Sequence, residues 1–533
     1  MKSFLIKKEI HFITVATLLF FSTIFSSCQK ILNQEPKNSP YLQVFWKSVS
    51  DCQSALSGDY SLLRAALSYK EDGYYMYGDA VPGNYFTIQY NGDGLETIQT
   101  GDFTTTYNVT SLGNWSRFYQ VIAMSNLILK EIPTIDNKLL ENDVDDVETF
   151  KNSIMGQALF IRAYTYFTLT RIWGDVPLDI QSYDNPINAP QLGRSDKDTV
   201  MAQIEKDCHQ AAKLLDWGYE NEEDRAVTAN KGAVYALLAH LYLWRATMSN
   251  VSSDQPIMKD VNSADTTIDK LMANGGYSLA DTASYAKVFI GQSSESIFEI
   301  NRSEDDREGD NAAIGLGFLP TKYLATAGDN PRFYVVKDYL STHFGFGGGE
   351  WVWDSNSNQW VWNTAYDSTD VRYRKIFTEV AQTQPVCLKY SNVVYRNPSA
   401  KTDPYLSNNM ILLRYADMVL LKAEIAIYKN NLPAAINIID NLRQKRGANP
   451  NNVIDPNSTR DDVMYQYILE RGKELYLEGQ LYWDLLRTRT YGDFITWMSP
   501  ARFRKEGFYW PVDPSLFSDN IHLSQTNYWK GKL

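Results

Sequence analysis

The stretch that decides the fold is VETFKNSIMGQALFIRAYTYFTLTRIW, from Val147 to Trp173. Its apolar residues recur with helical periodicity, and Gly174 followed by Pro177 marks a normal helix end. Small residues such as Gly156 alternate with aromatic ones such as Phe160, which lets neighbouring helices approach closely. The stretch therefore predicts a long helix in a tetratricopeptide-like scaffold of helical pairs, although an ordinary helical core explains these residues equally well.

Helical periodicity continues towards both ends of the chain. The further predicted helices are 45–67, 115–132, 198–215, 229–248, 411–429, 432–446 and 460–479. Two stretches, 70–114 and 300–400, lack this period, and long irregular inserts in a helical scaffold usually carry binding functions. The predicted fold class is mainly α, with irregular loop and small β-hairpin insertions.

The amino-acid composition excludes several classes of protein. The chain has 533 residues, of which 44% are hydrophobic and 21% charged, and its formal net charge is -12. This balance excludes a disordered chain and a polytopic membrane protein. A protein this acidic is not expected to coat nucleic acid or an anionic lipid surface, and no cluster of basic residues in the sequence is strong enough to reverse that.

The N-terminus is predicted to be a targeting segment that is not part of the folded domain. Residues 1–27 combine early lysines, an apolar stretch and small final residues, which is typical of a secretory signal peptide; a signal anchor is the alternative. The following Cys28 resembles the lipobox cysteine of bacterial lipoproteins, which implies a lipid on its sulfur and cleavage before it. Stable anchoring needs more than one acyl chain. The polar segment 28–40 is then an extended tether.

A tryptophan-rich segment, WVW-DSNSNQ-WVW at 351–362, alternates with period two around a turn and predicts a β-hairpin. If Trp353 pairs with Trp360, then Trp351 pairs with Trp362 and all four indoles share one face. A slip of one residue would split them between faces. The hypothesis is an aromatic platform that stacks on sugar rings or another apolar-faced ligand. The alternative is a hairpin stabilised by its own tryptophans or packed on the helical body.

A second ligand-binding wall is predicted in the 70–114 insert, where aromatic residues are dense. Its candidates are Tyr74, Tyr85, Phe86 and Tyr90. The alternative is a loop packed by its own aromatic side chains.

Carboxylates recur late in the chain. Glu470, Glu474 and Glu478 fall at i, i+4 and i+8, so they are predicted to share one helical face and to form a charge network between helices. Arg162 is likewise expected to pair with a carboxylate. The enzymatic alternative makes Glu474 and Glu478 the acid/base pair of a glycoside hydrolase, but such carboxylates normally face each other across a cleft.

Neither a metal nor a cofactor is predicted, and no catalytic residue is assigned. The cysteines lack metal-ligand spacing, and the histidines form no cluster with them. Cys52, Cys208 and Cys387 are expected to be buried as small apolar residues. Acidic loops at 143–146 and 304–310 lack the 12-residue calcium pattern and are predicted to be solvated.

Several motifs, taken in order, resemble the SusD/RagB family of nutrient-uptake lipoproteins. They are FW at 45–46, GQALFIRAYTYFTLTRIWGDVP at 156–177, SIFEIN at 296–301, LRYAD at 413–417, NLRQKRG at 441–447, ERGKELYLEGQLYWDLLR at 470–487 and FYWP at 508–511. Their order is specific and they span nearly the whole chain. One departure is Gln480, where the family usually has Arg or His, which suggests that a salt-bridge partner is missing.

The resemblance implies a lipid-anchored outer-membrane protein without enzymatic activity. It would capture an oligosaccharide or peptide at the cell surface and deliver it to a SusC-like TonB-dependent transporter, with lid motion as the mechanism. One SusD-like domain would span 41–533, with an N-terminal part at about 41–300 and a C-terminal part at about 301–533 that carries the Trp-rich insert 340–365. The rivals are a lipid-anchored glycoside hydrolase and a scaffold without a ligand.

Overall fold

The computed structural model describes residues 45–184, 189–302, 314–354 and 358–532. Its α-helices are α1 (Val49–Leu67), α2 (Tyr69–Tyr75), α3 (Tyr107–Thr110), α4 (Ser116–Glu131), α5 (Val147–Trp173), α6 (Lys197–Leu214), α7 (Lys231–Met248), α8 (Met258–Asn274), α9 (Ile314–Phe318), α10 (Lys337–Phe344), α11 (Val371–Ile376), α12 (Tyr415–Tyr428), α13 (Leu432–Lys445), α14 (Arg460–Glu474), α15 (Leu481–Arg487), α16 (Tyr491–Phe494), α17 (Pro500–Arg504) and α18 (Ser515–Asp519). The predicted signal peptide, Cys28, the tether and the loop at 304–310 lie outside the described residues.

The strands are short and form two-stranded antiparallel sheets. They are β1 (Phe86–Ile88), β2 (Ser296–Ile300), β3 (Phe333–Val335), β4 (Gly345–Asp354), β5 (Gln359–Tyr366), β6 (Phe377–Thr378), β7 (Val386–Cys387), β8 (Val393–Asn397), β9 (Thr402–Leu406) and β10 (Met410–Arg414). The pairs are β1 with β3, β2 with β10, β4 with β5, β6 with β7 and β8 with β9. The mainly α fold class with small β insertions is confirmed.

The central helix is α5, and its predicted bounds are confirmed. Asp146 caps its first turn by accepting hydrogen bonds from the backbone of Glu148 and Thr149. Gly174 ends it with a φ of +72°, which a side chain would strain. Nearly every side chain from Ile154 onward is buried, because α4 and α6 pack against the helix from different sides.

Helices pack in pairs along the chain: α1 with α4, α5 with α6, α7 with α8, and α12 with α13. The predicted helical pairing is therefore present. One hydrophobic core runs through the pairs and includes residues from Trp46 to Trp529. Cys52, Cys208 and Cys387 are buried and free in it, as predicted.

The structure corrects three predicted elements. The helix predicted from 411 starts only at Tyr415, because Met410–Arg414 is strand β10, paired with β2. The helix predicted to reach 479 ends at Glu474, so Glu478 lies beyond it. The sequence analysis missed α8, although its buried Val261, Ala264, Ile268 and Leu271 follow a helical period.

The 70–114 insert is also not a surface loop. Helix α2 continues into a π-helical turn, Met76–Ala80, whose residues are all buried. Gly78 approaches the backbone of Gly479 so closely that an added Cβ would lie 2.2 Å from the Gly479 carbonyl oxygen. Asp79 accepts a hydrogen bond from the Gly479 amide at 2.6 Å. The insert is thus docked on the turn that follows α14.

Asp79 makes this docking sensitive to pH. Burial raises its pKa from 3.8 to about 7. Between these values the unfolded chain releases the proton while the folded chain keeps it, so the free energy of unfolding falls as pH rises. Asp79→Asn removes this dependence and keeps an oxygen acceptor. We expect the variant to gain about 3–4 kcal/mol relative to the native protein between pH 4 and pH 7.5, measured by urea unfolding. A difference that stays constant over this range would contradict the expectation.

Candidate functional site

The tryptophan hairpin forms in the predicted register. Trp351 pairs with Trp362 and Trp353 with Trp360, with Val352 opposite Val361. Because paired residues in an antiparallel ladder point to the same side, the four indoles occupy one face. We call the surface formed by Trp351, Trp353, Trp360 and Trp362 the indole face.

The indole face is open to solvent. The four side chains are 63%, 49%, 62% and 51% exposed in chain order. Within each cross-strand pair the rings meet edge to face, with centroids 5.5 Å apart for Trp351 and Trp362 and 5.6 Å apart for Trp353 and Trp360. The pairs stabilise the hairpin, as one alternative expects. Packing on the helical body does not occur, so about half of each indole remains available for a ligand.

Among the described residues, the base of the hairpin is anchored to the helical body. The Asp367 amide donates to the Phe344 carbonyl at 2.8 Å, and Tyr366 stacks on Tyr373 at 5.2 Å. Just above, the register shifts between Gly345 and Gly349, where Gly347 and Gly348 have φ of +80° and +92°. These positive φ values, which glycine adopts without strain, bend the strand at this point.

The prediction of a second ligand-binding wall is wrong for three of its four residues. Tyr74, Tyr85 and Phe86 are at most 4% exposed. The Tyr74 hydroxyl donates to the Glu478 carbonyl at 2.9 Å, and the Phe86 ring packs within the core. Side chains buried in this way offer no surface to a ligand. Of the predicted wall only Tyr90 is exposed, so the alternative of self-packed aromatic residues holds for the rest.

The predicted carboxylates Glu470, Glu474 and Glu478 take part in a buried ion network. Glu474 sits at its centre, with Oε1 2.7 Å from Arg446 and 2.8 Å from Arg414, and Oε2 3.0 Å from Arg372. All four side chains are at most 1% exposed. Burial by itself would raise the pKa of Glu474, but the three guanidinium groups hold that pKa well below its usual range.

The neighbouring carboxylates extend the network. Glu295 bonds Arg446 at 2.7 Å and Arg414 at 2.8 Å. Glu478, although outside the helix, bonds Arg414 at 2.7 Å and Lys389 at 2.5 Å. Glu470 bonds Arg372 and Arg443. The predicted charge network is confirmed, and it joins residues from six separate parts of the chain, between Glu295 and Glu478.

This network argues against the enzymatic use of Glu474 and Glu478. Both carboxylates are buried, and every one of their oxygens lies in an ion pair. A glycosidase acid needs a raised pKa and access to the scissile bond. Glu474 has the opposite shift, because the surrounding arginines stabilise its charge. The two residues therefore serve structure.

The sequence analysis also singles out Arg162 and the neutral Gln480. Arg162 binds Asp207 through two hydrogen bonds of 2.7 and 2.8 Å, as expected. The Gln480 amide accepts from Arg171 at 3.1 Å and donates to the Tyr74 hydroxyl at 3.1 Å. Arg171 has no carboxylate within ion-pair distance among the described residues, and burial lowers its pKa. A neutral amide thus stands beside a buried guanidinium.

Removal of the central charge tests the network. Glu474→Gln keeps the shape but leaves three buried arginines short of one negative charge, so we expect a loss of about 3–5 kcal/mol in the free energy of unfolding. The matched control is Glu379→Gln, which breaks the exposed pair with Lys322 at a cost of at most about 1 kcal/mol. Denaturant unfolding measures both. Equal losses would contradict the assigned role of Glu474.

Neither a metal site nor a membrane span is found in the part of the chain that the structure describes. No three His, Cys, Asp or Glu side chains there come close enough together to bind an ion. Every helix of those residues is too short or too polar to cross a bilayer. The acidic residues Asp143, Asp145 and Asp146 are exposed, as predicted for a solvated loop.

The chain is similar to known proteins in sequence and in fold. A family model described as "Starch-binding associating with outer membrane" matches residues 68–243, and the SusD family model matches 321–509. SusD-like protein P38 of Formosa agariphila is 24% identical over 97% of this chain and 99% of its own length. Among solved structures, a SusD homolog from Bacteroides thetaiotaomicron gives a TM-score of 0.74 at 22% identity, covering 91% of this chain and 99% of that one. The structure of NanU from B. fragilis gives a TM-score of 0.66 at 21% identity. That match covers 93% of this chain and 99% of the NanU chain.

The fold defines a class of helical-pair scaffolds that carry surface inserts. Within this class, the chain belongs to the SusD/RagB family, whose two models together cover more than half of it. The resemblance drawn from the motifs is confirmed. Outer-membrane association and lipid anchoring are typical of this family.

Proposed function

We propose that this protein is a cell-surface lipoprotein that captures an oligosaccharide or peptide nutrient on its indole face and delivers it to a TonB-dependent outer-membrane transporter. The observation that carries the proposal is the exposure of Trp351, Trp353, Trp360 and Trp362 on one face of a projecting hairpin. Family membership supports glycan binding and nutrient uptake.

The exposed indoles suit sugar rings in particular. A sugar has an apolar face that stacks on an aromatic ring, and each buried Å² of apolar surface contributes about 25 cal/mol. The two Trp pairs follow each other two residues apart along the strands, which places them about 7 Å apart. A ligand with successive ring units can therefore contact both pairs. Weak contacts repeated along a chain favour capture followed by release.

Binding without bond cleavage is the mechanism that the charges favour. The conspicuous carboxylates of the late chain are held by arginines in the core, and the indole face lies on a separate hairpin. In this proposal the hairpin and its glycine bend move with the ligand, and the helical pairs face the transporter. The Cys28 lipid holds the protein at the outer membrane.

Two single substitutions test the indole face. We expect Trp351→Ala and Trp360→Ala each to weaken binding of an oligosaccharide identified on a glycan and peptide array about tenfold, because each removes one ring from a different pair. Titration calorimetry measures the affinity. The control is Val352→Ala, a residue on the opposite face of the same strand, which should stay within about twofold. A ligand bound equally well by both tryptophan variants would remove the indole face from the proposal.

The anchor has its own test. We expect Cys28→Ser to abolish incorporation of labelled palmitate and to shift the protein from the membrane to the soluble fraction, because the acylated sulfur is lost. Cys52→Ser, at a buried cysteine, is the matched control and should keep the label. Labelling that survives Cys28→Ser would place the lipid elsewhere or exclude it.

A further inference from the structure

A concave surface lies far along the chain from the hairpin. A cavity of about 600 Å³ opens beside α17, within the usual size range of small-ligand sites. Basic side chains dominate its lining: Arg502, Arg504, Lys505 and Lys532. We call this the basic pocket. Three of these cations lie within residues 502–505, and the fold adds Lys532 to them.

The positive charge of the basic pocket is not cancelled locally. Glu506 is its only acidic lining residue, and the Glu506 carboxylate lies 2.6 Å from Lys197 Nζ. Arg504 and Lys505 are exposed and form no ion pair with any described residue. In a chain with a net charge of -12, four cations around one cavity are a local reversal of sign.

Arg502 is held by hydrogen bonds inside the pocket, whereas Arg504 and Lys505 are exposed at its rim. Arg502 donates to the Gly507 carbonyl at 2.9 Å and to the Gly101 carbonyl at 2.8 Å, and its guanidinium lies 4.3 Å from the Trp497 ring centre. The ammonium of Lys532 lies over the Tyr528 ring. These contacts fix two cations, and Arg504 and Lys505 can close on a bound anion.

We propose that the basic pocket binds the carboxylate or sulfate groups of an acidic oligosaccharide. The cavity is concave and includes the neutral polar residues Ser499 and Asn527, which suit sugar hydroxyls. A membrane surface would instead meet a flat or convex basic patch. The anion preference stands on the pocket alone, whereas the saccharide nature of the ligand rests on the proposed function.

The test is calorimetry on the purified protein with trigalacturonate, a sulfated oligosaccharide of similar length, and neutral galactotriose. We expect at least one acidic probe to bind, with affinity falling several-fold between 50 and 500 mM salt. The double variant Arg504→Gln/Lys505→Gln should weaken it about tenfold. Lys270→Gln/Lys287→Gln removes the same charge from exposed positions outside the pocket and should stay within about twofold.

Several results would overturn the pocket proposal. They are no binding of either acidic probe, equal affinity for galactotriose, equal loss in both double variants, or binding of anionic lipid vesicles through Arg504 and Lys505 in place of both saccharides. Trp351→Ala and Trp360→Ala are measured in parallel. Glycan binding that is lost only in the tryptophan variants refutes the basic pocket and leaves the proposed function intact. If binding of an acidic saccharide is lost only in the Arg504→Gln/Lys505→Gln variant, the basic pocket is supported and the indole face is refuted as the binding surface.

Discussion

The structure depends on one buried carboxylate, that of Glu474. Three buried arginines hold it. Arg372 comes from α11, Arg414 from the end of β10, and Arg446 from the end of α13. An ion so buried is costly unless its partners are in place, so the pairs form only when all these segments are assembled. The network therefore fixes the C-terminal helices relative to one another.

The hairpin that carries the indole face is connected to this buried network through helix α10. Helix α10 carries the hairpin and packs on α14: the Tyr339 hydroxyl of α10 donates to the Gly472 carbonyl of α14 at 3.0 Å. Gly472 has no side chain there because a Cβ would lie 2.3 Å from His343 Nε2. The base of the hairpin is thus tied to the same helix that carries Glu474. The four half-exposed indoles then project from a base that is tied to the core.

Local signals in the sequence predicted well whatever depends on local structure. The bounds of α5 follow from Asp146 and Gly174, which act within one turn. The register of the Trp hairpin follows from period two and a nearby turn. Predictions failed where the partner is distant along the chain. The sequence predicts a helix from 411, because nothing local indicates that Met410–Arg414 is a strand. Its partner strand, Ser296–Ile300, lies more than a hundred residues earlier in the chain. The sequence predicts Tyr74 at a surface, because nothing near it in the chain indicates the Glu478 carbonyl that accepts the hydrogen bond of its hydroxyl.

The central claim is that the indole face takes the ligand and leaves it intact. The most direct measurement is fluorine NMR of the protein labelled with 5-fluorotryptophan, during titration with an oligosaccharide that binds. Four of the 13 tryptophans lie on the indole face. The account predicts that these four resonances shift with ligand concentration, that the buried tryptophans do not, and that the saccharide is recovered uncut. Unmoved hairpin resonances in the saturated protein, or shortened saccharide products, would contradict it.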